Sequence, residues 1–511
     1  MTKDPLQTLC EGRHPLYEEN IAHWNFLEAT YDGGREWFAG NIFQFIKEGN
    51  VEFKKRLERA YRFNHTKQVV DQVDKYLFKM AIARNLADTP EHIKNYWAAA
   101  TLSGLDIDTL FNRVSTLTSI YGRIWLVVDS TASPEVVSSV ADEKASGAKI
   151  YSYPIRPQDM LDMSYDELNE LNWALCREYS RDDDNPMDSS REMRERYRLW
   201  TRTSWTLIEK KVQRGKVRYI EIGKGEHDLG FVPLIQADHV FSEEPYEAPG
   251  LIDDIAYLDR AIANYLSNLD AIIQDQTFSQ LAMPAQGLLP GEEGSEKLID
   301  MSTKRVFLFN GENGSVPFYL SPDPKQAELI LSAIAKIINE IYHSIGLSSE
   351  RSKESSGVDN ASGVAKSIDF ERVNSLLSAK ARALQKTERA LVDVVHAYSG
   401  KTGAVDAAKL VTYPLDFDVR SVYDEFEIAA RLMLLTAPDE LRREQMRLVI
   451  AKLFPALSSE QASRLEKALK DWPPEEIAVD GLGAPKPVGA KSSGAPVKAA
   501  GAQKVAKELA S

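Results

Sequence analysis

The chain has 511 residues, of which 43% are hydrophobic and 27% charged, and its formal net charge at pH 7 is -14. This composition is that of a globular protein, and at about 150 residues per domain the length predicts three or four structural units. Two cysteines, Cys10 and Cys176, are too few for a disulfide scaffold or a Cys-rich metal site. No apolar run approaches the roughly 18 residues of a membrane helix and the N-terminus lacks a signal peptide, so we expect a soluble protein made inside the cell.

The first hundred residues are predicted to be helical. Residues 51–60 combine Phe53 and Leu57 with several cations, and from Thr66 onward apolar residues recur every three or four positions. The cationic cluster at 54–62 could bind phosphate, but a helix face exposed to solvent is the preferred interpretation. The cluster consists of Lys54, Lys55, Arg56, Arg59 and Arg62.

A β-rich region follows. The β-branched and aromatic run after Gly122 predicts a buried strand, and short polar turns separate further strands in an antiparallel meander. The aspartates Asp182–Asp184 could hold a divalent cation, but they lack the alternating spacing of a calcium loop, so an exposed loop is preferred. The further strands are predicted at Lys149–Ile155, Tyr197–Thr201, Ser204–Glu209, Val217–Ile222 and Gly230–Leu234.

The next region is predicted to be a long helix followed by an irregular insert. Apolar residues keep a 3.6-residue period from Leu251 to about Asp275, which predicts a helix on the order of 40 Å long. The insert, Gln280–Leu320, contains a plausible hairpin with strands at Arg305–Phe309 and Val316–Leu320.

Two further long helices are predicted on either side of a polar loop. An isoleucine-rich stripe follows Asp323, a good N-cap, and stops at Gly346. Ser348–Gly363 holds two glycines and almost no apolar side chain, so we expect a mobile loop there. The third helix, from Val364 to about Tyr398, would span on the order of 50 Å.

The C-terminal part is predicted to contain short elements and a tail. Residues 481–511 are rich in Ala, Gly, Pro and Ser and carry five lysines against one glutamate, which predicts a disordered basic segment. The predicted elements before it are a strand at Leu410–Phe417 and helices at Glu425–Leu435, Asp439–Leu453 and Ser459–Lys470.

The sequence carries no recognised catalytic motif. It contains no Gly-x-Ser-x-Gly elbow, no Walker A loop, no His-Glu-x-x-His and no glycine fingerprint that opens a helix after a strand. We therefore expect a protein that is not an enzyme and uses no cofactor or metal. Long helices with few charges need neighbours to cover them, and identical copies packed around a closed ring would provide these.

Several short segments then occur in a characteristic order. They are Arg56–Tyr61, Val69–Asp71, Tyr121–Asp129, Ile155–Asp162, Gly230–Leu234 and, after the series of helix, insert, helix, loop and helix, Tyr413–Phe417. In this order the chain resembles the portal proteins of tailed bacteriophages, the head-to-tail connectors of those particles. The resemblance covers nearly the whole chain to about residue 470.

The resemblance implies an α+β, mainly helical subunit that assembles as a closed ring of twelve copies around a central channel. It implies a wing, a long-helix stem, a small α/β clip, a tunnel loop and a helical crown. The implied division is 1–245 wing, 246–276 first stem helix, 277–323 clip, 324–346 second stem helix, 347–363 tunnel loop, 364–422 long helix and return to the wing, 423–471 crown helices and 472–511 disordered basic tail.

The resemblance also implies a function in the virion. The ring would form a channel at one capsid vertex through which double-stranded DNA is packaged and ejected, after synthesis of the chain in the host cytoplasm. The clip would bind terminase and later the head-completion or tail adaptor proteins, and the wing would meet the major capsid protein and scaffold. No contact with a membrane is expected.

The candidate DNA-facing residues follow from the same resemblance. Arg351, Lys353 and Lys366 lie in or beside the implied tunnel loop, and we expect weak contacts to DNA that do not depend on base sequence. The net charge of -14 agrees with such a conduit. A strongly basic sleeve would hold DNA through counterion release, whereas a channel must let it slide.

Two other readings of the sequence remain open. One is a different helical virion protein or a scaffold, which a ring with a through-channel would exclude. The other is a metal-dependent nuclease or a terminase subunit, for which clustered carboxylates such as Asp182–Asp184 would have to bind Mg²⁺.

Overall fold

The computed structural model separates into two compact units, Met1–Asp418 and Val419–Ser511. Helices and sheets are both present, which confirms the predicted α+β class. The described residues are 4–46, 48–131, 149–181, 185, 187, 189, 191–213, 215–277, 280–284, 306–309, 316–320, 324–346, 363–400, 405–415, 417, 438–453 and 459–470.

The N-terminal part of the first unit is helical, as predicted. Some of these helices start at side-chain caps: Asp106 accepts a hydrogen bond from the Thr109 amide at 2.8 Å, and the Asn64 side chain accepts one from the Lys67 amide. The helices are α1 (Pro5–Glu11), α2 (Pro15–Asp32), α3 (Arg35–Asn41), α4 (Asn50–Arg59), α5 (His65–Leu77), α6 (Glu91–Ala98) and α7 (Ile107–Tyr121).

A three-stranded antiparallel sheet contains the strand predicted after Gly122. That strand, β2, is buried over its first six residues, and its neighbours are β3 and β9. At Gly122 φ is 78°, and a Cβ would lie 1.8 Å from the carbonyl oxygen of Ala248, so the corner between α7 and β2 requires glycine. The strands are β2 (Arg123–Ser130), β3 (Ile150–Ile155) and β9 (Leu234–Asp238).

The strand predicted at Gly230–Leu234 is displaced, because β9 begins only at Leu234. Gly230 adopts a φ of 74°, which belongs to a turn. Pro233 has no amide hydrogen to donate to a ladder, and its carbonyl oxygen accepts a hydrogen bond from Val128 before the strand starts.

A second sheet of five strands forms an antiparallel meander in the order β4-β5-β6-β7-β8. The structure thus divides the predicted β-rich region into two sheets. Two strands of this meander are absent from the sequence-based prediction, since polar residues such as Asp162, Asn172 and Arg177 break the apolar alternation. The strands are β4 (Met160–Tyr165), β5 (Leu171–Ser180), β6 (Arg194–Thr201), β7 (Ser204–Gln213) and β8 (Lys216–Glu226).

The two predicted helices on either side of the insert are α8 (Ile255–Thr277) and α9 (Pro324–Ser344), which pack against each other. α8 starts at Ile255, later than residue 246, where the implied first stem helix begins, and later than Leu251, where the predicted helix begins. The residues before it form a turn, in which the Gly250 amide donates to Asp253 Oδ2 at 2.7 Å. Gly346, with a φ of 77°, follows α9 as expected.

The hairpin predicted in the insert does not form. Its two strands, β11 (Val306–Phe309) and β12 (Phe318–Leu320), both pair with β10 (Gln280–Pro284) instead of with each other. β11 runs parallel to β10 and β12 runs antiparallel to it. The parallel pairing joins residues distant in sequence and has no local turn signal.

The third long helix is α10 (Gly363–Tyr398), and Gly400 follows it with a φ of 61°. Its apolar side chains Leu384, Leu391 and Val395 are buried in the core of the first unit. After α11 (Ala407–Leu410), the strand predicted over Leu410–Phe417 is reduced to β13 (Val411–Thr412). It pairs with β1 (Ala83–Arg84).

The second unit contains α12 (Asp439–Leu453) and α13 (Ser459–Lys470), with the bounds that the sequence predicts. The predicted helix Glu425–Leu435 and the tail 472–511 lie outside the described residues. Within the part of the chain that is described, no helix has the length and apolar character needed to cross a membrane.

Candidate functional site

The predicted DNA-facing residues lie mostly beyond the described part of the chain. Arg351 and Lys353 are outside it, and Lys366 lies in the first turn of α10 with a side chain that is not described. Their role therefore stays a prediction. Asp182–Asp184, on which a nuclease would depend, are also outside, and the described residues contain no group of three His, Cys, Asp or Glu side chains that could hold a metal ion.

The cationic segment 54–62 differs from its predicted role as a face exposed to solvent. Arg56 is buried and donates to Glu48 Oε2 at 2.7 Å, to Ser267 Oγ at 2.8 Å and to the Phe43 carbonyl at 2.8 Å. Its hydrogen bond holds the pKa of Glu48 below the ordinary value. Ser267 lies on α8, so this arginine fastens the N-terminal helices to the first of the paired helices.

Arg62 makes a second buried connection to α8. Its Nη1 lies 3.2 Å from Asp259 Oδ2, and both side chains are almost without exposure to solvent. Asp259 also accepts hydrogen bonds from the Thr66 amide and hydroxyl, the latter at 2.9 Å. Arg59, which is partly exposed, pairs with Asp270 of α8 at 3.2 Å. The prediction of a solvated cationic face is therefore wrong for Arg56 and Arg62.

The end of α9 is fixed to the same place. Tyr342 donates a hydrogen bond to Gln68 Oε1 at 2.9 Å, and its hydroxyl lies 3.4 Å from His65 Nδ1. Since Thr66 bonds Asp259, residues 65–68 of α5 contact the start of α8 and the end of α9. The two long helices therefore run antiparallel from a common anchor in the N-terminal helices.

The helix α10 is anchored in the first unit by buried charges. Lys380 Nζ donates to the Ser115 carbonyl at 2.8 Å and lies 3.8 Å from Asp74 Oδ1. Burial lowers the pKa of Lys380 to about 8, although Asp74 opposes this change. Burial also lowers the pKa of His239 well below its ordinary value, and the Lys380 charge adds to the effect.

A second buried anchor of α10 is Glu388. Arg84 Nε donates to its Oε1 at 2.6 Å, and the Tyr413 hydroxyl donates to its Oε2 at 2.6 Å. This carboxylate connects α10 to β1 and to the segment after β13. α10, which follows the predicted tunnel loop, is thus attached to the rest of the first unit through Lys380 and Glu388.

The described side chains form an attachment network and show no arrangement for covalent catalysis. Both cysteines are buried; burial raises the pKa of Cys10 to about 12 and that of Cys176 still further, so neither thiol is activated. Sequence reasoning missed the network because the residues next to an arginine do not show whether it is buried or solvated. The acidic partners of Arg62 and Arg59, which are Asp259 and Asp270, lie about 200 positions away along the chain.

Comparisons with known proteins place the chain in a family. The sequence profile of the family described as phage portal protein, SPP1 Gp6-like, matches residues 20–468. The search of curated proteins found no match.

Two of the solved structures with similarity come from gene transfer agent particles. One is described as the neck of an empty particle computed with C6 symmetry: its chain has 11% identity and a TM-score of 0.36, over 73% of this chain and 90% of that chain. A second is described as the virion of a native gene transfer agent particle: its chain has 10% identity and a TM-score of 0.33, over 73% of this chain and 89% of that chain. The family profile spans most of the chain and confirms the resemblance seen in the sequence, so the chain belongs to the SPP1 Gp6-like phage portal proteins, the connectors of phage particles.

Proposed function

We propose that copies of this chain form a closed ring of twelve around a channel at one capsid vertex, through which double-stranded DNA is packaged and ejected. The family match over residues 20–468 carries this proposal. The exposed apolar side chains of the paired helices support it, because Leu329 of α9 is 72% exposed and Tyr257 of α8 is 41% exposed in a single copy. Such side chains are buried when copies pack side by side.

The native mass of the purified protein, with electron micrographs of the same fraction, tests the ring. Twelve copies of 57.3 kDa give 12 × 57.3 kDa, about 690 kDa, in particles with a central hole. A chain that stays monomeric even with capsid and scaffold proteins present would contradict the proposal.

The division of the chain follows the same proposal. Residues 1–245 serve as the wing, α8 and α9 as the stem, and the small sheet β10–β12 as part of the clip, with 347–363 as the tunnel loop and 423–471 as the crown. The clip binds terminase and then the adaptor proteins, and the wing meets the major capsid protein and scaffold. The buried connections of Arg56 and Arg62 support this arrangement, since they join the wing helices firmly to the stem.

The tunnel-loop cations contact the passing DNA. The substitution of Arg351, Lys353 and Lys366 by glutamine lowers packaging efficiency and the retention of packaged DNA, because each removes one phosphate contact. A matched variant, Arg351→Lys with Lys353→Arg and Lys366→Arg, keeps the charges and packages normally. If the glutamine variant packages DNA normally, these three residues do not contact DNA in the channel.

A further inference from the structure

One side of α8 carries an exposed aromatic surface. Tyr257 and Tyr265 point away from the core, and Phe43, which is 58% exposed, lies beside them in the segment after α3. Phe45 and Ile46 of the same segment are also exposed. We call these five residues, together with Arg260, the aromatic surface. Exposed aromatic clusters of this kind are typical of protein interfaces.

The aromatic surface is held in place by hydrogen bonds. Asn264 of α8 donates through Nδ2 to the Asn41 carbonyl at 2.8 Å and accepts the Phe43 amide through Oδ1 at 3.0 Å. The buried Arg56 donates to the Phe43 carbonyl from the other side. The segment is therefore fixed against α8 within a single copy, and the exposure of its rings does not come from a loose loop.

Arg260 lies within the aromatic surface, close to three aromatic rings. Its guanidinium carbon is 4.7 Å from the Phe26 ring, 5.6 Å from the Phe43 ring and 5.0 Å from the Tyr257 ring. Among the described residues it makes no ion pair. A partner that covers the aromatic surface should therefore supply a carboxylate at this point.

The complementary surface lies on α9. Leu329, Ala333, Lys336 and Glu340 recur at intervals of four, three and four residues, so they share one stripe of the helix. Leu329, Lys336 and Glu340 are exposed, and Glu340 has no ion-pair partner among the described residues. We call these four residues the outer stripe of α9.

Glu340 lies at the height of Arg260. Asp259 and Tyr342 both contact residues 65–68 of α5, which places the start of α8 level with the end of α9. Glu340 precedes Tyr342 by two residues, a rise of about 3 Å along the helix. Copies in a cyclic ring are related by rotation alone, so with α8 and α9 aligned along the ring axis, as a stem would be, surfaces that meet lie at equal height. Glu328, the other exposed acid of α9, lies nearer the start of the helix and on a different face.

We propose that the aromatic surface of one copy receives the outer stripe of α9 from the next copy, with Arg260 paired to Glu340 of that copy. The inference rests on the proposed ring. The two surfaces differ, so the contact is head-to-tail, which is the type of interface that closes a ring. Lys336 of the outer stripe, about one turn before Glu340, then lies level with Tyr265, and the Glu340 carboxylate neutralises the arginine that the rings surround.

A charge exchange tests the proposed pair. Arg260→Glu and Glu340→Arg should each raise the concentration at which half of the chain is assembled by about tenfold or more, measured by sedimentation velocity. The double variant R260E/E340R should restore assembly, because the opposite charges meet again. Glu328→Arg is the matched control: it reverses a charge on another face of α9 and should assemble like the unaltered chain. Circular dichroism spectra confirm that each variant is folded.

The outcomes separate this inference from the proposed ring. If the unaltered chain forms rings and both single variants assemble equally well, the pairing is wrong and the ring stands. If both single variants fail and the double variant also fails, the pairing is wrong as well. If the unaltered chain never assembles, with capsid and scaffold proteins present, the proposed ring fails first and the pairing fails with it.

Chemical crosslinking provides a second measurement that does not depend on assembly strength. In the variant Tyr265→Cys/Lys336→Cys, a short bis-maleimide should join successive copies into a ladder of multimers on a denaturing gel, since both positions are exposed and the native cysteines are buried. Tyr265→Cys/Glu328→Cys is the control on the other face and should give no ladder. A ladder from the control and none from the first variant would overturn the proposal.

Discussion

Buried charges join parts of this chain that lie far apart in sequence. Arg62 and Asp259 lie 3.2 Å apart with almost no exposure to solvent, and Arg84 and Glu388 form a similar connection at 2.6 Å. Charges removed from water are stable only when each finds its partner and further hydrogen bonds. These pairs therefore fix α8 against the N-terminal helices and α10 against β1 more strictly than apolar packing alone.

The Arg62–Asp259 pair gives a prediction on stability. Arg62→Met should lower the free energy of unfolding by about 3–5 kcal/mol, because Asp259 is left buried without its cation. Arg59→Met, which removes the partly exposed pair with Asp270, should cost no more than about 1 kcal/mol. Chemical denaturation of both variants measures the difference, and equal losses would contradict the assignment of Arg62 as a buried anchor.

Lys380 gives a prediction on pH dependence. Its pKa is about 8 in the folded protein, below the ordinary value of 10.5, so between these values the unfolded chain binds more protons than the folded one. The contribution of Lys380 to stability therefore rises with pH above about 8, by up to about 1.4 kcal/mol per pH unit.

The variant Lys380→Met removes this titration. Tyrosines and cysteines also titrate above pH 9, but they do so in both proteins, so the difference between the two unfolding free energies isolates Lys380. From pH 8 to pH 10 the unfolding free energy of the unaltered chain should rise relative to that of the Lys380→Met variant. Denaturation midpoints across this range measure it, and parallel curves would show that Lys380 keeps an ordinary pKa in the folded state.

At the scale of elements, the sequence predicts helices well and strand pairing poorly. α12 and α13 have the predicted bounds, and α10 starts one residue before the predicted Val364, since a clear apolar period ends at a glycine or a polar cap. The partners of β11 and β12 were unpredictable, because both pair with β10 across long sequence separations. The buried role of Arg62 shares this cause, because Asp259 lies on an element distant in sequence, and so does the contact of Arg56 with Ser267.

The corner between α7 and β2 gives a prediction about a single glycine. Gly122→Ala should lower the free energy of unfolding by roughly 2 kcal/mol or more, because it combines a φ of 78° with a contact of 1.8 Å to the Ala248 carbonyl oxygen. Gly104→Ala is the matched control: its φ is 84°, but nothing lies within 4 Å of the added Cβ, so only the backbone strain of about 1 kcal/mol applies. Equal losses in the two variants would show that the Ala248–Pro249 backbone can move away from residue 122 at no cost.

At the scale of the whole molecule, the first unit is closed by its last segment. β13 pairs with β1, the Tyr413 hydroxyl donates to the buried Glu388 at 2.6 Å, and the Phe417 amide donates to Asn374 Oδ1 at 2.8 Å. All of these contacts come before the boundary at Asp418. The core of the first unit therefore uses the chain as far as Phe417.

A pair of truncations tests this closure. A chain that ends at Asp418 should unfold cooperatively, with the near-ultraviolet circular dichroism of its buried tryptophans, because it keeps the contacts of α10 with β13, Tyr413 and Phe417. A chain that ends after residue 404 loses β13, Tyr413 and Phe417, which leaves β1 unpaired and the Glu388 carboxylate with Arg84 but without the tyrosine. We expect it to unfold at a clearly lower denaturant concentration. If the longer fragment is also unstable, the second unit contributes to the core of the first; if both fragments are equally stable, the closing segment contributes little to it.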